Sequence, residues 1–237
     1  MRLSNLRSLV TLVLGAGFTA QAGIIYNYGG SPFDIPDGNL SGVYSQITVS
    51  GANASLLDIT VAIQISGGYN GDLYAYLSYG GALVPLLNRV GVSSGNGFGA
   101  AGAGMNVTLS DLGPNNIHTA GDGVLGGTWR ADGQTISPTG LPESFSPGGG
   151  SITLDGAFGN MDPNGTWTLF FADVSKGGGT ARLDSWSLGI TAVPEPVNVA
   201  LGIFAGVVLV VLVVRSRRVR NRVQHWRVAV VEWINAV

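Results

Sequence analysis

The stretch NGTWTLFFADVSKGGGTARLDSWSLGI, from Asn164 to Ile190, decides the fold: two β-strands and the turn between them. Trp167, Leu169 and Phe171 alternate with Thr168, Phe170 and Ala172, a period of two in which both faces are largely apolar. The loop Val174–Gly179 after Asp173 breaks the pattern. A second run then puts Trp186, Leu188 and Ile190 on one face and Ser185, Ser187 and Gly189 on the other. A strand apolar on both faces belongs inside a sheet, while a one-sided strand lies nearer its edge. Trp167 and Trp186 are therefore expected to be the largest apolar surfaces of a small all-β core. The rest of residues 30–190 has to supply the sheets that bury them.

Upstream, short runs of the same period recur between Gly, Asn, Asp and Ser turns. Val43, Ile47 and Val49 alternate with Tyr44, Gln46 and Thr48, and Ile59, Val61, Ile63 and Ile65 with Thr60, Ala62 and Gln64. After the turn signal Asn70-Gly71, Leu73, Ala75 and Leu77 alternate with Tyr74, Tyr76 and Ser78. Leu83–Leu87 follows, where Pro85 favours a sheet edge or bulge. Met105, Val107 and Leu109 come next, and Ile152 and Leu154 close the series. No 3.6-residue period stands out between residues 30 and 190, so the expected fold is an antiparallel β-sandwich. Two irregular regions interrupt it, Gly91–Gly104 and Gly113–Gly150. The second exceeds the usual loop length, and Pro138, Pro142, Pro147 and the Gly148–Gly150 run predict a mobile surface segment.

Composition bounds the function. Charged residues are 11% of the 237, and there are 38 glycines without a collagen period, which fits a loop-rich β protein. With no cysteine, disulfides, thiolate metal sites and a Cys nucleophile are excluded. Residues 23–193 hold four basic and twelve acidic side chains, a net of −8, whereas both ends are basic. An acidic body lacks the cationic surface that nucleic-acid binding requires.

The ends read as export signals. In residues 1–22, Arg2 and Arg7 precede an apolar centre, Leu9–Phe18, and an Ala20-Gln21-Ala22 cleavage site, the order of a signal peptide. Residues 23–32 are expected to be a linker and 33–191 the sandwich. Val193-Pro194-Glu195-Pro196 is a stiff spacer. Residues 197–214 form an 18-residue run without formal charge, just long enough for a transmembrane helix. Arg215, Arg217 and Arg218 follow at once, and such a cluster holds that end in the cytoplasm with residues 23–193 outside. In the tail, 219–237, Val219, Val223, Trp226, Val230 and Trp233 recur at spacings of three and four, giving either a basic interfacial helix or a read-through extension.

Two resemblances follow from these residues. The segment 193–218, with Val193, Pro194, Glu195, Pro196, an apolar helix and the arginines in that order, resembles the PEP-CTERM sorting segment. That resemblance implies a polysaccharide-producing Gram-negative bacterium. It also implies an exosortase that cuts near the Pro-Glu-Pro, and a product that leaves the inner membrane for the cell surface or the extracellular space. Residues 33–191 resemble the P-domain (P/Homo B) that accompanies subtilisin/kexin-type proteases. The elements are Ile35-Pro36-Asp37, Tyr69–Leu73, Pro85–Asn88, Leu109–Asp111, Asn164–Leu169 with Asp173, and Leu183–Leu188. It implies a jelly-roll β-sandwich. The chain departs from that pattern at Gly67-Gly68 and Tyr79, and its 91–150 region is longer and richer in Gly.

Candidate chemistry is sparse. A Ser-His-Asp triad needs a His as base. Only His118 and His225 exist; His225 falls beyond the anchor, and His118 sits in a loop without a nucleophile elbow. His118 is expected to be a surface histidine and the chain not to be an enzyme. Asp34 with Asp37, or Asp155 with Asp162, are turn-forming carboxylates in this reading, because a glycosidase pair must face across a cleft. Asp72, Asp111, Asp173 and Asp184 stand at motif or strand ends and are calcium-ligand candidates by chemistry, though no EF-hand spacing is present. Asp72 and Asp173 equally suit bonding to backbone amides. Tyr69, Tyr74, Tyr76, Tyr79 and Trp129 are either core or a platform for sugar rings, with Tyr74, Tyr76 and Trp129 the candidate ligand face. Three functions stay open: a non-catalytic surface or matrix module in contact with extracellular polysaccharide, an accessory domain for a protease in trans, and a carbohydrate-binding module.

Overall fold

Trp167 lies at the centre of the core, fully buried, its ring stacked on Tyr79 at 4.0 Å and met edge-on by Phe158 at 5.0 Å. Its indole N–H donates to the Pro163 carbonyl at 3.0 Å, so the polar atom of a large apolar group is paired as burial requires. The computed structural model describes residues 23–52, 54–194 and 201–218. The signal segment 1–22, Glu195 and Pro196, the first four residues of the apolar run, and the tail 219–237 lie outside the described residues. The chain divides at Val193/Pro194 into two units, which are taken separately.

Among the described residues of the first unit ten strands form two sheets. They are β1 (Ile24–Asn27), β2 (Phe33–Ile35), β3 (Asn39–Val49), β4 (Ala54–Gly67), β5 (Leu73–Tyr79), β6 (Ala82–Asn88), β7 (Met105–Leu109), β8 (Leu125–Trp129), β9 (Gly165–Asp173) and β10 (Ala181–Pro194). One sheet has the order β1-β10-β4-β7-β8, with β2 also on β10; the other has β3-β9-β5-β6. The alternation of Trp167, Leu169 and Phe171 sends all three inward, where they meet Trp186, Leu188 and Ile190 of β10 in one buried cluster. Leu73, Ala75 and Leu77 of β5 and Ile59, Val61 and Ile63 of β4 complete that cluster from the two sheets. A fold of mostly β structure, two sheets over one core, is thus what the period-two runs encode.

Several expectations are corrected. The linker 23–32 contains a strand: β1 pairs with β10 in the register Ile24↔Ile190 to Asn27↔Ser187, because Ile24 and Ile25 give it β propensity. The sandwich is not purely antiparallel, since β7 and β8 run parallel from Met105↔Leu125 to Leu109↔Trp129. Leu154 opens a short helix, α1 (Leu154–Phe158), rather than ending a strand run. Thr153 caps it by accepting from the Gly156 N–H, and Leu154 and Phe158, four apart, share its buried face. Residues 113–150 are not a loose surface excursion. They supply β8 and the buried Ile117, His118, Asp132 and Phe145, and they cover the free edge of β6 through Asp132 N–H to Leu86 O (3.1 Å) and Gly133 N–H to Pro85 O (3.0 Å). Their many prolines and glycines shape a folded path that packs without regular hydrogen-bond ladders.

In the second unit residues 201–218 are helical. Among the described residues no helix is long and apolar enough to cross a membrane. The expected run 197–214 is described only from Leu201 onward, and its first four residues lie outside the described residues. Arg215, Arg217 and Arg218 lie among the last described residues of this helix, and Val193 and Pro194 are the last residues of β10.

Candidate functional site

The residues with chemical potential fall at four places in the sandwich. The first is built by the excursion after Gly113. A single 3₁₀ turn (Ile117–Thr119) is capped by Asn116, whose side-chain Oδ1 accepts the His118 N–H at 2.9 Å. The Asn116 amide donates to Ala131 O (2.8 Å) and Asp132 O (3.0 Å), tying the turn to the segment that follows β8. His118 is consequently buried, 1% exposed, and not the surface histidine expected. Its Nδ1 lies 2.7 Å from Asp132 Oδ2 and its Nε2 2.9 Å from Val92 O, with Phe145 parallel to the ring at 6.1 Å. Both neighbours are acceptors, so the ring must carry both protons to satisfy them. Burial opposes that charge, but the Asp132 hydrogen bond and charge, with the Val92 carbonyl, override it and raise the His118 pKa above its ordinary value. Neither nitrogen remains to take a proton from a hydroxyl. Nothing in the sequence marks Asp132 as its partner, because the two are joined by a turn rather than by a motif.

The second place is the end of the four-stranded sheet. Leu73 is the register partner of Asp173, which sets Asp72 beside it. Asp173 is fully buried; its Oδ1 accepts from Ser175 N (3.1 Å) and Gly38 N (3.4 Å), while Oδ2 has no partner. Burial, and then the charge of Asp173, push the Asp72 pKa up to about 6, against an opposing pull from Arg89. Asp37 caps the neighbouring loop by accepting from Gly177 N at 3.0 Å. This is the amide-bonding role that sequence held open for Asp173.

The other two calcium candidates are elsewhere. Asp111 accepts from Leu154 N (3.0 Å) and Asp155 N (2.8 Å), pinning the start of α1. Asp184 lies 3.6 Å from Arg182, which also bonds Asp34 at 3.1 Å. Among the described residues no three acidic or histidine side chains are grouped to hold a metal ion. Of the four calcium candidates the fold brings only Asp72 and Asp173 together, and Asp111 and Asp184 stand apart from them.

The third place is the outer face of the four-stranded sheet. Tyr44, Phe170 and Tyr76 are register partners on β3, β9 and β5. Tyr76 stacks on Phe170 at 4.8 Å, and Tyr74 lies 6.0 Å from Tyr76 and 6.4 Å from Phe170. Trp129 is not with them: it belongs to β8 in the other sheet, its indole N–H donating to Gly126 O at 2.8 Å. Tyr79 points inward onto Trp167 and donates its hydroxyl to Asp162 O and Asn164 O. Tyr44 and Phe170 were absent from the candidate face. Their signal was present as the even-numbered members of two adjacent alternating runs, but the pairing of β3 with β9 is a non-local fact.

The fourth place is a small cleft of about 130 Å³ on the opposite sheet, lined by Asn27, Tyr28, Gln64, Asn106, Ser185 and Trp186 among others.

No family model matches the chain, and no curated protein matches it. Among solved structures, the serine protease of Aeromonas sobria is similar at 15% identity with a TM-score of 0.39, over 79% of this chain and 30% of that one. Its complex with a chaperone gives 16% identity and a TM-score of 0.39, over 78% of this chain and 29% of that one. The chain thus spans under a third of the length of those structures. A superposition this loose carries no weight for fold or activity.

Proposed function

We propose that the chain is a non-catalytic, exported β-sandwich module of the jelly-roll, P-domain-like type, sorted to the cell surface or extracellular matrix of a polysaccharide-producing Gram-negative bacterium. The observation that carries this reading is the linear order of its parts. An export signal at 1–22 precedes the acidic sandwich, and Val193-Pro194-Glu195-Pro196, an uncharged run and Arg215, Arg217 and Arg218 follow it. In this reading the run 197–214 anchors the precursor and an exosortase releases the sandwich near the Pro-Glu-Pro. The closed His118–Asp132 pair supports a role without acid–base chemistry, since a general base needs a nitrogen within reach of a reacting proton. Cell fractionation with mass spectrometry tests the proposal. The expected mature species lacks residues 1–22 and the segment from Arg215 to Val237; a surface species that keeps that segment overturns sorting by cleavage.

A second reading, an accessory domain for a subtilisin-like protease in trans, is favoured by one observation. The aspartates of two P-domain-like elements, Asp72 and Asp173, come together at one end of the sheet. Co-purification of a subtilase with the full chain supports it, and an empty pull-down in calcium buffer counts against it.

A further inference from the structure

We propose that the outer face of the four-stranded sheet, centred on Tyr44, Phe170, Tyr76 and Tyr74, binds a neutral polysaccharide. The inference rests on the reading of the chain as an exported module and gives that module its ligand.

Strand pairing alone places three aromatic residues in one row across β3, β9 and β5. Two strand spacings of about 4.8 Å make that row roughly 10 Å long, and Tyr74 extends it along β5. These are positions where a solvent-facing sheet has no packing need for aromatic side chains. Tyr44 is 66% exposed, and Phe170, Tyr76 and Tyr74 are half-buried, Phe170 and Tyr76 against each other and Tyr74 within reach of the Asp132 segment as well. Contiguous apolar surface left open to water marks a binding site more often than it serves the fold.

The platform is held rigid. A methyl group on Gly42 would overlap the Phe170 ring and the Phe171 carbonyl, so the ring lies against bare backbone at that position, where φ is +58°. Tyr76 then stacks on Phe170 with an interplanar angle of 15°. Rings fixed before binding lose little freedom on binding.

Charge decides the class of ligand. The outward positions of the three strands are Tyr44, Gln46 and Thr48; Thr166, Thr168, Phe170 and the buried Ala172; and Tyr74, Tyr76 and Ser78. None carries a formal charge. The body around them has a net charge of −8 over residues 23–193. An anionic polymer finds no cation on this face and is repelled by the rest of the domain. What the face offers is aromatic carbon flanked by neutral donors and acceptors, including Gln46 and Thr168, which bond each other at 3.1 Å. A pyranose ring has the matching chemistry: an apolar face of axial C–H bonds and a rim of neutral hydroxyls. The strip is walled on one side, where residues 132–136 run along β6, with the Asn88 amide donating to Gln134 O and Ile136 O. At β3 it is open, which suits a chain of sugars rather than an enclosed monosaccharide.

The test is calorimetric titration of the full chain in mild detergent with cellohexaose, mannohexaose and xylohexaose, and with alginate oligomers as the anionic comparison. Saturable binding of at least one neutral hexasaccharide is expected. Tyr44→Ala and Tyr76→Ala should each weaken it about three- to tenfold, and Gln64→Ala on the opposite sheet should leave it unchanged. Tyr44 is mostly exposed, so Tyr44→Ala tests the face without threatening the fold, and near-ultraviolet circular dichroism verifies this for both variants. Failure of all three neutral sugars to bind, binding unchanged in Tyr44→Ala, or tighter binding of alginate each overturns the inference. So does light scattering in which Tyr44→Ala turns a dimer into a monomer while no sugar binds, since the face would then join two copies. These outcomes are independent of the export reading, which stands or falls on the mass and location of the mature species.

Discussion

Replacing His118 by Ala is expected to be among the most damaging single changes in the sandwich. Removing the ring leaves the fully buried Asp132 Oδ2 without a partner and uncovers the Val92 carbonyl. Breaking a buried pair from one side costs about 3–5 kcal/mol, a large share of the ~5–15 kcal/mol that holds a domain together. With a urea m-value of about 2–3 kcal/mol/M, the unfolding midpoint should fall by roughly 1–2 M. The pH dependence carries the sharper signature. The folded pKa of His118 lies above its unfolded value near 6.5. The proton is therefore held more tightly in the folded chain; its stabilisation is complete below pH 6.5 and is lost as pH rises through the folded pKa. Urea titrations followed by tryptophan fluorescence, repeated between pH 6 and 9, should show the wild-type midpoint falling over that window. In His118→Ala the part of that slope above about pH 7, beyond the range in which Asp72 and Asp155 ionise, should vanish, and in Asp132→Asn it should shrink, because the neutral amide no longer favours the imidazolium. A midpoint lowered by less than about 0.3 M, or a slope above about pH 7 that survives undiminished in His118→Ala, would refute the doubly protonated pair.

Other expectations are shorter to state. Asp72→Asn should raise the unfolding midpoint at pH 7.5 and flatten the wild-type decline between pH 4 and 6. The raised Asp72 pKa, about 6, means that ionisation costs the folded state stability as pH climbs through that range; a variant less stable than wild type specifically in calcium buffer would instead reveal a cation held there. Asp155, also pushed up to about 6 by burial, contributes in the same sense, so Asp72→Asn should remove only part of the slope. Trp167→Ala should cost about 3–5 kcal/mol, measured by chemical denaturation, and Trp167→Phe distinctly less because the Tyr79 and Phe158 contacts survive in part. Gly42→Ala should lower thermal stability, since the new methyl meets the Phe171 carbonyl and the backbone is left-handed there; a melting temperature equal to wild type counts against the close approach of Phe170.

The alternating runs around Trp167, Leu73, Ile59 and Val43 were readable because each buries one set of odd-numbered side chains, and period two is a local property. Strand β1 was not. Four residues in the expected linker, with β propensity in Ile24 and Ile25 but too short a run to stand out, become a strand because β10 offers them an edge. The parallel β7–β8 pair was hidden for a related reason: Leu125-Gly126-Gly127 lacks strand composition and takes its conformation from its neighbour. Residues 113–150 misled because Pro and Gly mark both mobile chain and ordered irregular chain. What separates the two here is buried polar pairing, Asn116 to Ala131 and Asp132, and His118 to Asp132, which spacing does not encode. The aromatic face was half legible: Tyr74 and Tyr76 share a strand, but Phe170 and Tyr44 join them through partners 94 and 126 residues away from Phe170 and Tyr44 respectively.

The pairing of Ile24–Asn27 with Ser187–Ile190 joins the first strand of the sandwich to the last. A growing polypeptide cannot complete that sheet while the final strand is still inside the ribosome, and contacts so distant in sequence form slowly even afterwards. The two long bordering strands that close the core also belong to opposite halves of the message, β4 early and β10 late. Such a topology delays cooperative closure and keeps the chain threadable, which suits the export proposed for it, since an exported chain has to pass an aperture before it takes its shape.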